Sequence, residues 1–146
     1  MASTVSVAQK PAAVAVPQTP ATSAVTAARA LTLDDVAGRH GNLRCREAAE
    51  DMARWLRRRN QNFMFAEIWF ESRSFIVSDI HIGRGFISET GWHVGILHND
   101  IIRCNIHPQG LPTQQWFADF HGDGPRFTSI SPIILGPQGH PPWPSR

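Results

Sequence analysis

One change of period constrains this chain more than any other feature. From Arg44 to Arg59 the apolar residues Cys45, Ala48, Ala49, Met52, Ala53 and Leu56 recur at the spacing that draws a single stripe along an α-helix, with charges on the other face. After Asn60-Gln61-Asn62 that period gives way to short aromatic and β-branched runs: Phe63 to Phe70, Phe75 to Val77, Trp92 to Leu97 and Ile101 to Ile106. Such runs predict strands. A helix followed by strands is read as an α+β domain, with an N-terminal helix packed on a small antiparallel β-sheet.

The punctuation supports this reading. Asn42 is the expected N-cap of the helix, with Gly38 and Gly41 keeping the approach non-helical, so Cys45 falls in the first turn. His98, Asn99 and Asp100 separate two strands by a loop short enough for a β-hairpin, Asn or Asp supplying the positive backbone angles. Pro108-Gln109-Gly110 turns the chain toward a short helix, Gln114 to Phe120, with Thr113 as cap, and Ile130 to Leu135 is the expected last strand.

Residues 1–30 are mostly Ala, Val, Thr, Ser, Pro and Gln, with Lys10 and Arg29 their only charges and no aromatic residue. Without large side chains to bury, they read as a disordered leader or linker, with at most a marginal Ala-rich helix near Ala21 to Leu31. The domain is expected over 31–138 and a Pro-rich tail over 139–146. A chain of 146 residues that is 42% hydrophobic suits one modest core.

Several function classes recede. The formal charge of +2 is far from the concentrated positive surface that nucleic-acid binding requires. No apolar stretch approaches the roughly 18 residues of a membrane span, and the N-terminus lacks a secretory signal. The expectation is a soluble, cytoplasmic chain, or one delivered into a target-cell cytoplasm by a route that needs no signal peptide. Two cysteines make no disulfide framework, although a Cys45 to Cys104 bridge is conceivable. Among Cys45, His93, His98, Cys104 and His107 only Cys104-x-x-His107 has the tight spacing zinc favours, so neither metal nor cofactor is expected. The arginines of the helix, interleaved with Glu47, Glu50 and Asp51, read as a solvated face.

A thiol becomes a nucleophile when its anion is stabilised, and a helix N-terminus with a neighbouring imidazole supplies that stabilisation. Cys45 has the first, and His93 on a strand is the candidate for the second, taking or donating the proton. Judged on local pattern alone, a cysteine on an apolar stripe is first a core residue, and a lone strand histidine first a structural one.

A set of ordered segments adds to this. Asn42-Leu43-Arg44-Cys45-Arg46-Glu47-Ala48-Ala49 is followed by Phe75-Ile76-Val77-Ser78-Asp79, Phe86-Ile87-Ser88 and Gly91-Trp92-His93-Val94-Gly95. Asn105-Ile106-His107-Pro108-Gln109-Gly110-Leu111-Pro112 and Trp116 complete the set. Together, from about Asn42 to Phe120, these resemble the papain-fold toxins of bacteria. The resemblance implies a papain-like cysteine hydrolase, a peptidase or an amidase/deamidase, used as a toxin or effector domain. It implies Cys45 as nucleophile, His93 as general base, a protein or peptide amide substrate and a cognate immunity protein. Cys104 stands where the pattern carries an Asp before Asn-x-His-Pro.

The hairpin then decides which residue meets the imidazole. A two-residue turn, Asn99-Asp100, sets Ile106 opposite His93, puts Cys104 on the face of His93 and turns Asn105 away. A three-residue turn, His98-Asn99-Asp100, sets Asn105 opposite His93. Asn105 is the favoured third member, since papain-type enzymes use an Asn there, and Asn42 is the candidate oxyanion donor, with Cys104 in a supporting place. The alternatives are a cell-wall endopeptidase of the NlpC type, which also pairs a helix-start Cys with a strand His, and a papain-like interaction module with a dead site.

Overall fold

The structure is a computed structural model that describes residues 3–4 and 29–136. The chain divides at residues 30/31 into two units, and the leader and the C-terminal tail lie almost wholly outside the described residues.

Three α-helices form among the described residues, all in the second unit. The first, α1 (Leu33–Gly38), has no long apolar period to announce it and is fixed locally by a capping box. Thr32 Oγ1 accepts the Asp35 amide at 3.2 Å and the Asp35 carboxylate accepts the Thr32 amide at 2.9 Å, so two orphan donors of the first turn are satisfied reciprocally. The second, α2 (Cys45–Arg57), follows the predicted stripe, with Cys45, Ala48, Ala49, Met52, Ala53 and Leu56 all buried. Its N-cap is Arg44, without a side-chain cap bond, and not Asn42. The third, α3 (Thr113–Asp119), takes Thr113 as its first residue and Pro112 as N-cap, so Thr113 is not the cap.

The strands are β1 (Met64–Phe70), β2 (Ile76–Ser78), β3 (Phe86–Ser88), β4 (Trp92–His98), β5 (Ile101–Arg103), β6 (Leu111–Pro112), β7 (Phe120–Gly122) and β8 (Arg126–Ser131). Among the described residues they build two antiparallel sheets rather than one: five strands in the order β6-β5-β4-β1-β8, and three in the order β3-β2-β7. The last strand runs over 126–131, earlier than the apolar run 130–135 suggested, because it pairs along β1 from Phe65 opposite Ser131 to Phe70 opposite Arg126.

Side chains of β1 and β4 alternate between two cores. Phe65, Trp69, Trp92, Val94 and Ile96 pack against the α2 stripe and against Leu33, Val36 and Ala37 of α1. Each fully buried large side chain here, such as Met52 or Leu56, contributes about 1.5–3 kcal/mol. Ala66, Ile68 and Phe70 point the other way, into a core with Ile76, Ile87, Ile102, Cys104, Trp116 and Phe120. Gly95 is required by this second core: a Cβ there would stand 2.7 Å from the Arg103 carbonyl oxygen and 2.9 Å from Ile102. The fold is thus α+β, as expected, with β4 as the partition between its halves.

Candidate active site

Cys45 is the first residue of α2, so its sulfur lies at the positive end of a 13-residue helix. The approach is strained: Leu43 adopts φ 68°, a left-handed conformation uncommon outside glycine. Leu43 stays half exposed and joins Ile87, Ser88, Glu89, Thr90 and Trp92 around a cavity of about 340 Å3 onto which Cys45 opens. The loop is pinned from two sides. Asn42 Nδ2 donates to the carbonyls of Arg84 at 3.0 Å and Phe86 at 3.4 Å, and Asn105 Nδ2 donates to Gly41 O at 2.7 Å.

Burial pushes the Cys45 thiol up to about 12, although the backbone amides of Val94 and Arg46 face the sulfur and work in the opposite sense. Val94 is the residue next to His93, so the sulfur rests against the β4 backbone one position from the imidazole. The imidazole itself points the other way. Its ring lies 5.6 Å from Trp116 and 4.6 Å from Phe120, whereas Trp92 and Val94 face the helix. His93 is fully buried, and neither of its nitrogens has a hydrogen-bond partner among the described residues. Burial drives its basicity down to about 3. At rest the thiol and the imidazole are therefore both neutral and not hydrogen-bonded to each other.

The hairpin register answers the question the sequence left open. His98 pairs with Ile101, Leu97 with Ile102 and Ile96 with Arg103, and Asn99 (φ 51°) with Asp100 (φ 63°) forms a two-residue turn with both angles positive. Cys104 therefore shares the face of His93, and Asn105 points away. This corrects the favoured assignment: Asn105 does not orient His93. It holds the Gly41 carbonyl of the nucleophile loop, and its own Oδ1 is buried without a partner among the described residues. Asn42 is likewise engaged, its amide nitrogen on the 84–86 backbone rather than open toward the cavity. β5 also ends at Arg103 rather than running to Ile106, because residues 104–107 turn back on themselves, Cys104 N donating to His107 O at 3.2 Å.

Cys104 is fully buried, and its sulfur accepts the Trp116 indole N–H at 3.3 Å and the His107 amide at 3.4 Å. Burial raises it to about 11. Both cysteines are free thiols. His98, the remaining residue of the imagined zinc set, sits at the far end of β4 with Nδ1 at 2.9 Å from Asn62 O. Among the described residues no three His, Cys, Asp or Glu side chains are grouped to hold a metal ion.

A second polar group, which local pattern did not single out, lies on the His93 side. Asp119, at the end of α3, is nearly fully buried. Its Oδ2 accepts the Ser78 hydroxyl at 2.5 Å and lies 2.6 Å from His107 Nε2, and its Oδ1 accepts the Ile80 amide at 2.8 Å. Burial alone would raise this carboxyl, but these donors outweigh it and hold Asp119 below the usual carboxylate range. Burial also keeps His107 below its ordinary value despite that partner, so His107 serves as a neutral donor to an ionised carboxylate. The sequence did carry a signal: Trp116 and Asp119, three residues apart, share the buried face of α3, and a carboxylate on a buried helical face requires partners.

The family model described as papain fold toxin 2 matches residues 28–121. A search of curated proteins and a search of solved structures each found no match.

Proposed function

The chain belongs to the papain fold toxin 2 family, and from that premise we propose that this toxin domain is a cysteine hydrolase with Cys45 as nucleophile and His93 as general base. The observation that carries the reading is the setting of Cys45: a thiol in the first turn of a helix, approached through a strained Leu43, on a cavity of about 340 Å3. Nucleophile and oxyanion donors have the same source there, since the amides of the first helical turn face the place where a carbonyl oxygen acquires charge.

In this mechanism the Cys45 proton passes to an imidazole nitrogen of His93, giving thiolate and imidazolium. The sulfur attacks a substrate carbonyl, the C–N bond breaks, and the imidazolium proton leaves on the amine. Water, activated by the same histidine, then cleaves the thioester and regenerates the thiol. Peptide hydrolysis and glutamine deamidation both follow this course. For the first step the imidazole has to reach the α2 face, because at rest the β4 backbone lies between sulfur and ring. Protein or peptide amides are the substrate class, a target-cell cytoplasm the place of action, and an immunity protein the partner that the reading entails.

The unbonded His93 is also what an inert interaction module would show, and one experiment separates the two. The full chain is expressed in bacterial cytoplasm beside Cys45→Ala and His93→Ala. Growth arrest by the parent, relieved in both variants, is the expected result. Equal effects from all three would overturn the catalytic reading.

A further inference from the structure

The cavity beside Cys45 is lopsided in its hydrogen-bonding capacity. Its apolar part comes from Leu43, Ile87 and Trp92, and the Trp92 indole N–H is already spent on Glu67 Oε1 at 2.9 Å, so that ring has no donor left for a ligand. The polar part comes from Arg46, Ser88, Glu89 and Thr90. Ser88 has one hydroxyl proton, and it goes to the Trp92 carbonyl at 2.7 Å. The 3.3 Å contact between the Ser88 and Thr90 hydroxyls is therefore donated by Thr90, whose hydroxyl and amide protons are both spent on Ser88 Oγ. The charge of Arg46 is answered one turn along α2 by Glu50, 3.1 Å away. Glu89 differs from all of these: it is exposed, accepts without donating when ionised, and forms no hydrogen bond or ion pair among the described residues.

A lining of apolar carbon, committed hydroxyls and one unanswered carboxylate fits one kind of guest. We propose that this cavity is a substrate subsite for a long basic side chain, its aliphatic stem lying along Leu43, Ile87 and Trp92 and its cationic head reaching Glu89. The proposal rests on the reading of Cys45 as nucleophile and adds the character of the substrate: a protein or peptide amide with a basic residue beside the bond that Cys45 attacks. At about 340 Å3 the space lies at the small end of ligand pockets, room for a single side chain rather than a folded partner. Basic side chains suit such a place, because their stems bury on apolar surface while the charged head stays near water. Glu89, being exposed, stands at that wet edge. An acidic side chain would meet Glu89 with like charge, and a short polar one would leave the apolar wall uncovered and find no free hydroxyl donor.

The experiment compares two chloromethyl ketones on the full chain, N-acetyl-lysyl and N-acetyl-norleucyl, the second keeping the aliphatic stem without the ammonium. Each alkylates a thiol by forming an S–C bond with loss of chloride, and mass spectrometry locates the modified residue. The expected result is that the lysyl reagent modifies Cys45 about three- to fivefold faster than the norleucyl one, the size of a partly exposed ion pair. That ratio falls to about one in Glu89→Gln and below one in Glu89→Lys. A ratio is read rather than a rate, so a general change in thiol reactivity cancels, and the exposed, unpartnered Glu89 gives neither variant a reason to unfold. Equal rates with both reagents in the parent, a ratio unchanged in Glu89→Gln, or no labelling of Cys45 by either reagent would overturn the proposal. The reactive pair fails in a different readout: the norleucyl reagent would then label Cys45 in His93→Ala at the parent rate.

Discussion

The two faces of β4 differ in what they do with polar groups. On the α2 face, Cys45 packs among Trp92, Val94 and the small residues of the helix stripe. The buried carboxylate on that face, Glu67, is occupied in fastening structure: it accepts the Trp92 indole N–H at 2.9 Å and the amides of Leu135 and Gly136 at 2.9 and 2.8 Å. On the opposite face, a fully buried histidine has no hydrogen bond among the described residues, yet the carboxylate nearby is surrounded by donors. Leaving a buried imidazole unpartnered costs about 1–3 kcal/mol. The fold bears this cost at His93 while Glu67 and Asp119 are satisfied.

That contrast can be broken in several places. The largest effect is expected at Trp116, which is fully buried, stacks on His93 and donates to Cys104. Trp116→Ala should cost about 3–5 kcal/mol in denaturant unfolding, and a loss below about 1 kcal/mol would mean that the His93 face is not the tight core described. Gly95→Ala follows, at about 1–3 kcal/mol, because the added methyl meets the Arg103 carbonyl and Ile102. His93→Phe has the opposite sign: removing the unpartnered imidazole should raise stability by about 1 kcal/mol while abolishing activity. A destabilised His93→Phe protein would show that the imidazole is structural. The smallest change belongs to the exposed pair of Arg46 and Glu50 on α2, 3.1 Å apart; Arg46→Ala should alter stability by less than about 0.5 kcal/mol.

The pH dependence carries the same asymmetry. His93 takes a proton at about 3 when folded and near 6.5 when unfolded. Between these values the unfolded chain binds the extra proton, so stability is full above about 6.5 and falls as pH drops toward 3, by about 1.4 kcal/mol per pH unit from this group. Asp119, held low in the folded state, adds to the loss at the acid end of that range. Thermal melts from pH 7 to 4 should therefore show a steep acid decline, made shallower in His93→Phe. Equal slopes would mean that His93 is not buried neutral in solution.

How far the sequence could be read depends on which forces are local. The α2 stripe, the β1 and β4 runs and the positive angles of Asn99 and Asp100 are local properties, and the structure has them. The strands β3 and β7 are three residues each and exist because β2 pairs with both, which no local period announces. Whether Asn105 or Cys104 shares the face of His93 depends on one residue of hairpin register, which turns every following side chain to the other face and which no local pattern fixes. Asp119 was visible only as a charge three residues from Trp116, and its partners Ser78 and His107 come from distant segments. The toxin family was legible because ordered segments from Asn42 to Trp116 survive together, and the match over 28–121 bears this out.

Everything proposed for this site turns on Cys45 and His93 acting as one reactive pair although β4 separates them at rest. The most direct test is to treat the full chain with limiting iodoacetamide near neutral pH, locate the label by mass spectrometry and repeat the reaction with His93→Ala. A reactive pair predicts that Cys45 is alkylated well before Cys104 and that the preference and the rate at Cys45 both collapse without the imidazole. Slow labelling at Cys45 that is the same with and without His93 would contradict it.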